Sequence, residues 1–416
     1  MLFFISMICV PKEEYMSILE VKNLYKIFGR TPEKAREMSK QDLSKEEILK
    51  KTKNTIGVND VSFSVEEGET FVVMGLSGSG KSTLIRCLNR LHEPTFGDVY
   101  VNGVNLVDMN AEALRETRRK TMSMVFQNFG LLPHRSVMGN VEYGLEIQGI
   151  SVETRREKAM KALELVGLSG YENMKPDALS GGMQQRVGLA RALVNDPDIL
   201  LMDEAFSALD PLIKKNMQDE LIKLQEKMQK TIVFITHDLD EALKLGDRIA
   251  VMFEGKIVQI GTPEEILTHP ANDYVRDFVE NVNRARVITA ESIMIPPLAV
   301  VEEKDGPQSA IRKMEKESIS SIFVVNKKRV LQGVVTIDKA LEMKKSGKKT
   351  LKSGMEKVEH EVAPDTLIAD MLDMATSAKY PIAVVDDEHK LKGVVVRVSV
   401  LAGIKGLSLD EVNANA

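Results

Sequence analysis

The spacing of apolar residues changes along this chain, and each change marks a different element. Residues 18–28, ILEVKNLYKIF, are rich in β-branched and aromatic positions and predict a strand running into a loop. Residues 31–56 are polar and rich in Lys and Glu. Within them Ser44 and Glu47 have the S-x-x-E spacing of a capping box, and Leu43 and Ile48 sit at staple positions around it. This predicts an inserted helix outside the core. From Val58 the string VNDVSFSVEEGETFVVMG predicts strand, turn and strand, with the turn at Glu67-Gly68-Glu69. Strand and helix patterns then alternate to about residue 262, which predicts an α/β domain. Two runs, DILLMDE (198–204) and TIVFITHD (231–238), are continuously apolar before their acidic ends, as in strands buried on both faces. Residues 263–290 predict a charged helical bridge.

The remainder repeats itself. A shift of 60 positions places Met314 on Met374, Ile322 on Ile382, Val324-Val325 on Val384-Val385, Leu331 on Leu391, Gly333 on Gly393 and Val334-Val335 on Val394-Val395. Each copy reads helix, strand, turn, Gly, strand. A unit this short buries little surface alone, so the two copies are expected to pack together.

Composition narrows the class. The chain has 416 residues, 43% hydrophobic and 28% charged, enough apolar surface for two or three cores. Cys9 and Cys87 are its two cysteines, and no pair of its six histidines has metal-ligand spacing. No uncharged apolar run reaches membrane-helix length. The net charge of −5 argues against nucleic acid as the main partner. The opening MLFFISMICVP lacks a basic lead and a cleavage site. It reads as an over-called start, with Met16 or Met7 as the true one, or as a short tail grazing a membrane.

Three motifs carry the chemistry. GLSGSGKS, from Gly75 through Leu76, Ser77, Gly78, Ser79, Gly80 and Lys81 to Ser82, follows an apolar strand and opens the helix that continues with Thr83. Glycines at this spacing let backbone N–H groups turn toward phosphate oxygens, while Lys81 reaches the outer phosphates and the Ser82 hydroxyl ligates Mg2+. Asp203 and Glu204 end the apolar run near residue 202. The first is placed to hold the metal, and the second is a candidate general base for water. LSGGMQQR supplies a second glycine-rich helix start at Ser180, Gly181 and Gly182. One chain with two cradles implies a nucleotide shared between two chains.

With these motifs in order, the chain resembles an ABC-transporter ATPase subunit with a P-loop NTPase fold. The resemblance implies ATP and Mg2+ as cofactors, a homodimer of ATPase subunits and integral membrane permease partners. It implies a Q-loop at Gln127 that senses the γ-phosphate and joins Ser82 and Asp203 at the metal. It also implies a D-loop at Ser207-Ala208-Leu209-Asp210, a switch histidine at His237, and adenine stacking on Phe28, with Tyr25 as runner-up. Met183 departs from the pattern, where most of the superfamily has Gln. The repeat resembles a tandem CBS pair. Together with the insertion and the string MDEAFSALDPL, this is similar to the ATP-binding subunits of glycine betaine/proline importers. That implies uptake of a quaternary-amine compatible solute, a substrate-binding protein or domain, a place on the cytoplasmic face of the cell membrane, and osmotic or ionic-strength regulation. The other readings are the ATPase of an amino-acid or methionine importer, or a soluble ABC protein without a transport role.

In nucleotide-binding CBS repeats Asp follows Thr by three places. Here Asp338 follows Thr336 by two, and the second copy has Val396 and Arg397. Cyclic di-AMP is a further ligand known in some relatives. Residues 327–352 hold nine Lys and Arg against Asp338 and Glu342, a local charge of +7 that suits anionic lipid. The expected domains are an extension over 1–17, an ATPase domain over 18–270 with its insertion at 31–56, a linker over 271–290, a CBS pair over 291–406 and a tail over 407–416.

Overall fold

The structure is a computed structural model that describes residues 17–406 apart from Asp42, Asn128, Ala208 and Asn281. The expectations for the first sixteen residues, for the tail 407–416 and for Ala208 lie outside the described residues.

The long apolar runs become the centre of a six-stranded sheet. Strands β1 (Ser17–Phe28), β2 (Thr55–Glu66), β4 (Phe96–Val101) and β5 (Val104–Asn105) form an antiparallel four-stranded sheet in the order β2-β1-β4-β5. Strands β3 (Thr70–Met74), β6 (Met122–Val125), β7 (Ile199–Asp203), β8 (Thr231–Thr236), β9 (Arg248–Phe253) and β10 (Lys256–Gly261) form the second sheet, in the order β10-β9-β3-β8-β7-β6. In that sheet β6, β7, β8, β3 and β9 are parallel, and β10 closes the edge antiparallel. Every residue of β3, β7 and β8 is buried, which is why these strands read as unbroken apolar runs. The parallel register also brings the carboxyl ends of β3, β8, β7 and β6 side by side. The segments leaving them carry Gly75, His237, Glu204 and Gln127.

The core between the sheets gathers Leu19, Leu24, Phe63, Phe71, Leu84, Ile85 and Leu88, with Phe63 stacked on Phe71 at 4.9 Å. Leu84, Ile85 and Leu88 lie on the helix Lys81–Leu88, so burial of that helix fixes the glycine loop at its start.

The insertion corrects the sequence reading. It holds two helices, Pro32–Ser39 and Lys45–Thr52, where one start was expected. The capping box forms, with Ser44 Oγ accepting from Glu47 N–H and the Glu47 carboxylate accepting from Ser44 N–H. These helices are not outside the core. Ala35 and Ile48 bury against Tyr25, Ile27 and Ile56, with Leu43 packed alongside. Buried Asn54 pins the ends of the insertion together, donating to Thr31 O and Oγ1 and accepting from Thr31 N–H.

The chain divides after Val279, within the segment expected to link the domains. The helix Asp273–Val279 belongs with the first unit, where the Tyr274 ring packs tilted against Phe253 at 4.2 Å between centroids.

The second unit, from Glu280, realises the repeat. Strands β11 (Val300–Glu302), β12 (Ser321–Val325) and β13 (Leu331–Thr336) form one sheet. Strands β14 (Glu361–Val362), β15 (Ile382–Val385) and β16 (Leu391–Val395) form its counterpart, and in both sheets a parallel pair is followed by an antiparallel pair. The copies pair reciprocally. Leu331 N–H donates to His389 O at 2.9 Å, and Leu391 N–H donates to Arg329 O at 3.0 Å. Phe323, Val325, Leu331 and Val334 share a core with Ala383, Leu391 and Val394. The matched glycines allow close approach: a Cβ on Gly333 would sit 2.5 Å from Glu356 O, and one on Gly393 would sit 2.6 Å from Met294 Sδ.

Candidate functional site

The loop after β3 is built for close contact. Gly75, Gly78 and Gly80 have φ of +152°, +81° and +111°. A Cβ on Gly75 would meet Met252 O at 2.2 Å, and one on Gly80 would meet Gly57 O at 2.1 Å, so the loop is clamped from behind. Around Gly78 there is open space. Leu76 and Ser77 are exposed, whereas Ser79 is buried and its Oγ has no hydrogen-bond partner. Gly255 N–H donates to Ser79 O at 2.7 Å, tying the loop to the β9–β10 turn.

Lys81 is only 4% exposed. Its Nζ donates to Gly75 O at 2.8 Å and Leu76 O at 3.1 Å, and lies 3.9 Å from Glu204 Oε1. Burial pulls its pKa down, against the pull of Glu204 and Asp203. Ser82 Oγ donates to Asp203 Oδ1 at 2.9 Å, and Arg86 approaches Oδ2 at 3.4 Å. Burial raises the Asp203 carboxyl, while Ser82 and Arg86 oppose that rise.

Glu204 is the point of convergence. Its φ of +45° is unusual for a residue with a side chain. The backbone is held there by its N–H to Ile235 O at 3.0 Å and by Ser207 N–H and Oγ, both donating to Glu204 O. On the side chain, Gln127 Nε2 donates to Oε2 at 3.1 Å and His237 Nδ1 lies 3.4 Å from the same oxygen. The three expected catalytic residues therefore meet within the chain.

The second cradle stands apart from this group. Ser180 caps the helix Gly181–Leu193 by accepting from Met183 N–H. Ser180 and Gly181 are exposed, and the neighbour facing Gly181 is Leu209 at 3.8 Å. Gly182 is buried, and a Cβ there would fall 2.5 Å from Ile213 Cγ2. Asp210 is exposed and precedes the helix Pro211–Met228 without a side-chain cap bond.

Phe28 is 41% exposed. Both its ring and the Thr83 methyl lie near 3 Å from where a Gly57 Cβ would stand, so the ring flanks the start of the glycine-loop helix. Tyr25, the runner-up, is 1% exposed and meets Phe96 edge-on at 6.1 Å, with the Arg36 guanidinium over its ring. Tyr25 packs inward with Ile27, so it offers no stacking face; that alternative is corrected.

A family model described as ABC transporter matches residues 58–207, and one described as CBS domain matches residues 290–345. Similar proteins include the glycine betaine/carnitine transport ATP-binding protein GbuA of Listeria monocytogenes, 55% identical over 96% of this chain and 100% of that protein. This chain belongs to the ABC transporter ATP-binding proteins. The glycine betaine transport ATP-binding protein OpuAA of Bacillus subtilis is 52% identical over 93% of this ABC subunit and 92% of its own length. Among solved structures, the dimeric ATP-binding cassette MJ0796 bound to ADP and Pi is 33% identical with a TM-score of 0.50, covering 59% of this chain and 98% of that one.

The residues of this ABC subunit fit ATP. An open glycine corner, an unpartnered buried Ser79 hydroxyl and a buried ammonium are what a polyphosphate requires. The oxygen pair Ser82 and Asp203 suits a hard cation, which takes one or two protein oxygens and completes its shell with phosphate and water. Sequence reading missed Arg86, although its place four residues beyond Ser82 on one helix face pointed to it. It also named no partner for His92, whose ring meets Phe28 edge-on at 5.8 Å. The Phe253–Tyr274 pair left no local signal, because it joins a strand end to a helix twenty residues later.

Proposed function

We propose that this chain is the ATP-hydrolysing subunit of an importer for a quaternary-amine compatible solute such as glycine betaine. The observation that carries the chemistry is the meeting of Lys81, Gln127 and His237 at Glu204. Gly75 to Thr83 bind the phosphates, and Phe28 stacks on adenine. The Glu204 carboxylate accepts a proton from the water that attacks the γ-phosphorus, the bond to the β–γ bridging oxygen breaks, and ADP leaves. His237 and Gln127 hold the carboxylate and water in line. Mg2+, held by Ser82, Asp203 and Gln127, would neutralise charge on the phosphates.

Two copies close on ATP, with Ser180, Gly181, Gly182 and Asp210 of one facing the glycine loop of the other. The homodimer drives membrane permease subunits through the region after Gln127, and a substrate-binding protein or domain delivers the solute. Among the described residues no helix is long and apolar enough to cross a membrane, and the subunit sits peripherally at its cytoplasmic face.

The second unit regulates the cycle. Thr336 caps the helix Ile337–Lys345, and Arg397 donates to the carbonyls of Ala375, Thr376 and Ala378. These internal roles favour an ionic over a mononucleotide signal. Lys344, Lys345, Lys348 and Lys349 are exposed, as a latch to anionic lipid requires. Screening would release it, because the Debye length falls from about 8 Å at 0.15 M to about 3 Å at 1 M salt.

Co-purification with the permease and competition uptake among glycine betaine, carnitine, choline and proline tests the importer reading. ATP-driven uptake of none of them overturns it. Reversing the four lysines to Glu should leave the transporter active at low salt in anionic liposomes. Unchanged salt dependence would exclude the latch.

A further inference from the structure

We infer that buried Glu241 and partly buried Lys214 form an ionic strut that positions His237 and ties it to Asp210. The strut rests on the reading of His237 as the residue that orients Glu204 and its water.

His237 is itself half exposed, so its placement depends on its two neighbours. Thr236 Oγ1 donates to Glu241 Oε2 and accepts from Asp238 N–H at 3.0 Å. Asp238 Oδ1 accepts from the N–H groups of Asp240 and Glu241, capping the helix Leu239–Leu245. The turn carrying His237 is thus closed onto Glu241, which is only 3% exposed.

A carboxylate so buried needs a partner. Lys214 Nζ lies 2.9 Å from Glu241 Oε1 and 2.6 Å from Asp238 Oδ2, and Gln218 Nε2 donates to Glu241 Oε1 at 3.2 Å. Burial works against the Lys214 ammonium, but its bonds to Asp238 and Glu241 outweigh this and hold its pKa above the ordinary lysine value. Lys214 and Gln218 are four residues apart, on one face of the helix Pro211–Met228. That helix starts directly after Asp210, and Lys214 N–H donates to Asp210 O at 2.8 Å. Ser207 in turn donates twice to Glu204 O. A chain of contacts therefore runs from Asp210 to Lys214, then through Glu241 and Thr236 to His237 and on to Glu204.

A buried ion pair adds little net stability compared with an apolar pair, and its best-attested use is to fix register. Here the register is that of His237 against Glu204. Glu241 and Lys214 reach His237 only through Thr236 and Asp238, so they act as positioning residues. A displacement of Asp210 would shift Lys214, and through the strut His237, which gives the partner-facing loop a path to the catalytic carboxylate.

The test is a double-mutant cycle on ATPase activity in the full chain with its membrane partners. Glu241→Gln should lower kcat about tenfold with the KM for ATP within about twofold. In a His237→Ala background the same change should cost less than about twofold. Equal losses in both backgrounds would overturn the strut. Wild-type kcat in His237→Ala alone would overturn the reading of His237, and the strut with it. Should Glu241→Gln fail to fold, the paired Lys214→Gln/Glu241→Gln variant removes both charges and answers the same cycle.

Discussion

The two glycine-rich helix starts of this chain look alike in sequence and differ in every physical respect. The first, Gly75 to Ser82, is clamped by Met252 and Gly57 from behind, holds a buried lysine, and faces Asp203 and Glu204. The second, Ser180 to Gly182, leaves Ser180 and Gly181 exposed, and the neighbours of its glycines are Leu209 and Ile213. One cradle has its cation and its acids in the same chain; the other has backbone donors alone. In the proposed homodimer this second helix start is the half of a site that a second copy completes. On the proposed reading, hydrolysis is assembled within one subunit and completed by another.

That contrast can be broken at either end. The largest effect is expected at Glu204. Glu204→Gln should keep ATP binding, trap a dimer with ATP, and slow hydrolysis by about 10²–10⁴-fold. Single-turnover rates at wild-type level would remove Glu204 from the base role. Next comes Ser180→Arg, which should lower dimeric hydrolysis about a hundredfold while the isolated chain binds ATP normally. A mixed dimer with Lys81→Ala in one chain and Ser180→Arg in the other should retain one intact composite site at most. Full activity in isolated monomers would show that the second cradle is not shared.

Smaller effects separate the two glycines of the second cradle. Gly182→Ala places a Cβ against Ile213 and should destabilise the first unit by about 1–3 kcal/mol in denaturant unfolding. Gly181→Ala should be near neutral in the same measurement, because only ordinary contact awaits it. Reversed values would mean that Gly181, not Gly182, is the tightly packed position. The smallest change is Phe28→Ala, which should raise the KM for ATP about fivefold with kcat unaltered. Tyr25→Phe should leave KM unchanged, since its ring is in the core of the insertion.

By itself the sequence determined which strands are central, where the glycine loop opens its helix and that the last part repeats. These features rest on local spacing. A strand buried on both faces is apolar along its interior, a tight phosphate loop uses glycine, and a capping box needs Ser and Glu three residues apart. The reading of the insertion as non-core failed because Ala35 and Ile48 find their partners across β1 and β2. Likewise Tyr25 and Phe28 are three places apart on one strand, and only strand pairing and the inserted helices decide which of them is buried. The convergence on Glu204 was decided by tertiary structure alone. Gln127, Glu204 and His237 lie far apart in sequence and meet because parallel strands in the order β3-β8-β7-β6 end on one edge. The strut of Lys214 and Glu241 was equally silent, since a Lys and a Glu on two different helices reveal their pairing only when the fold brings those helices together.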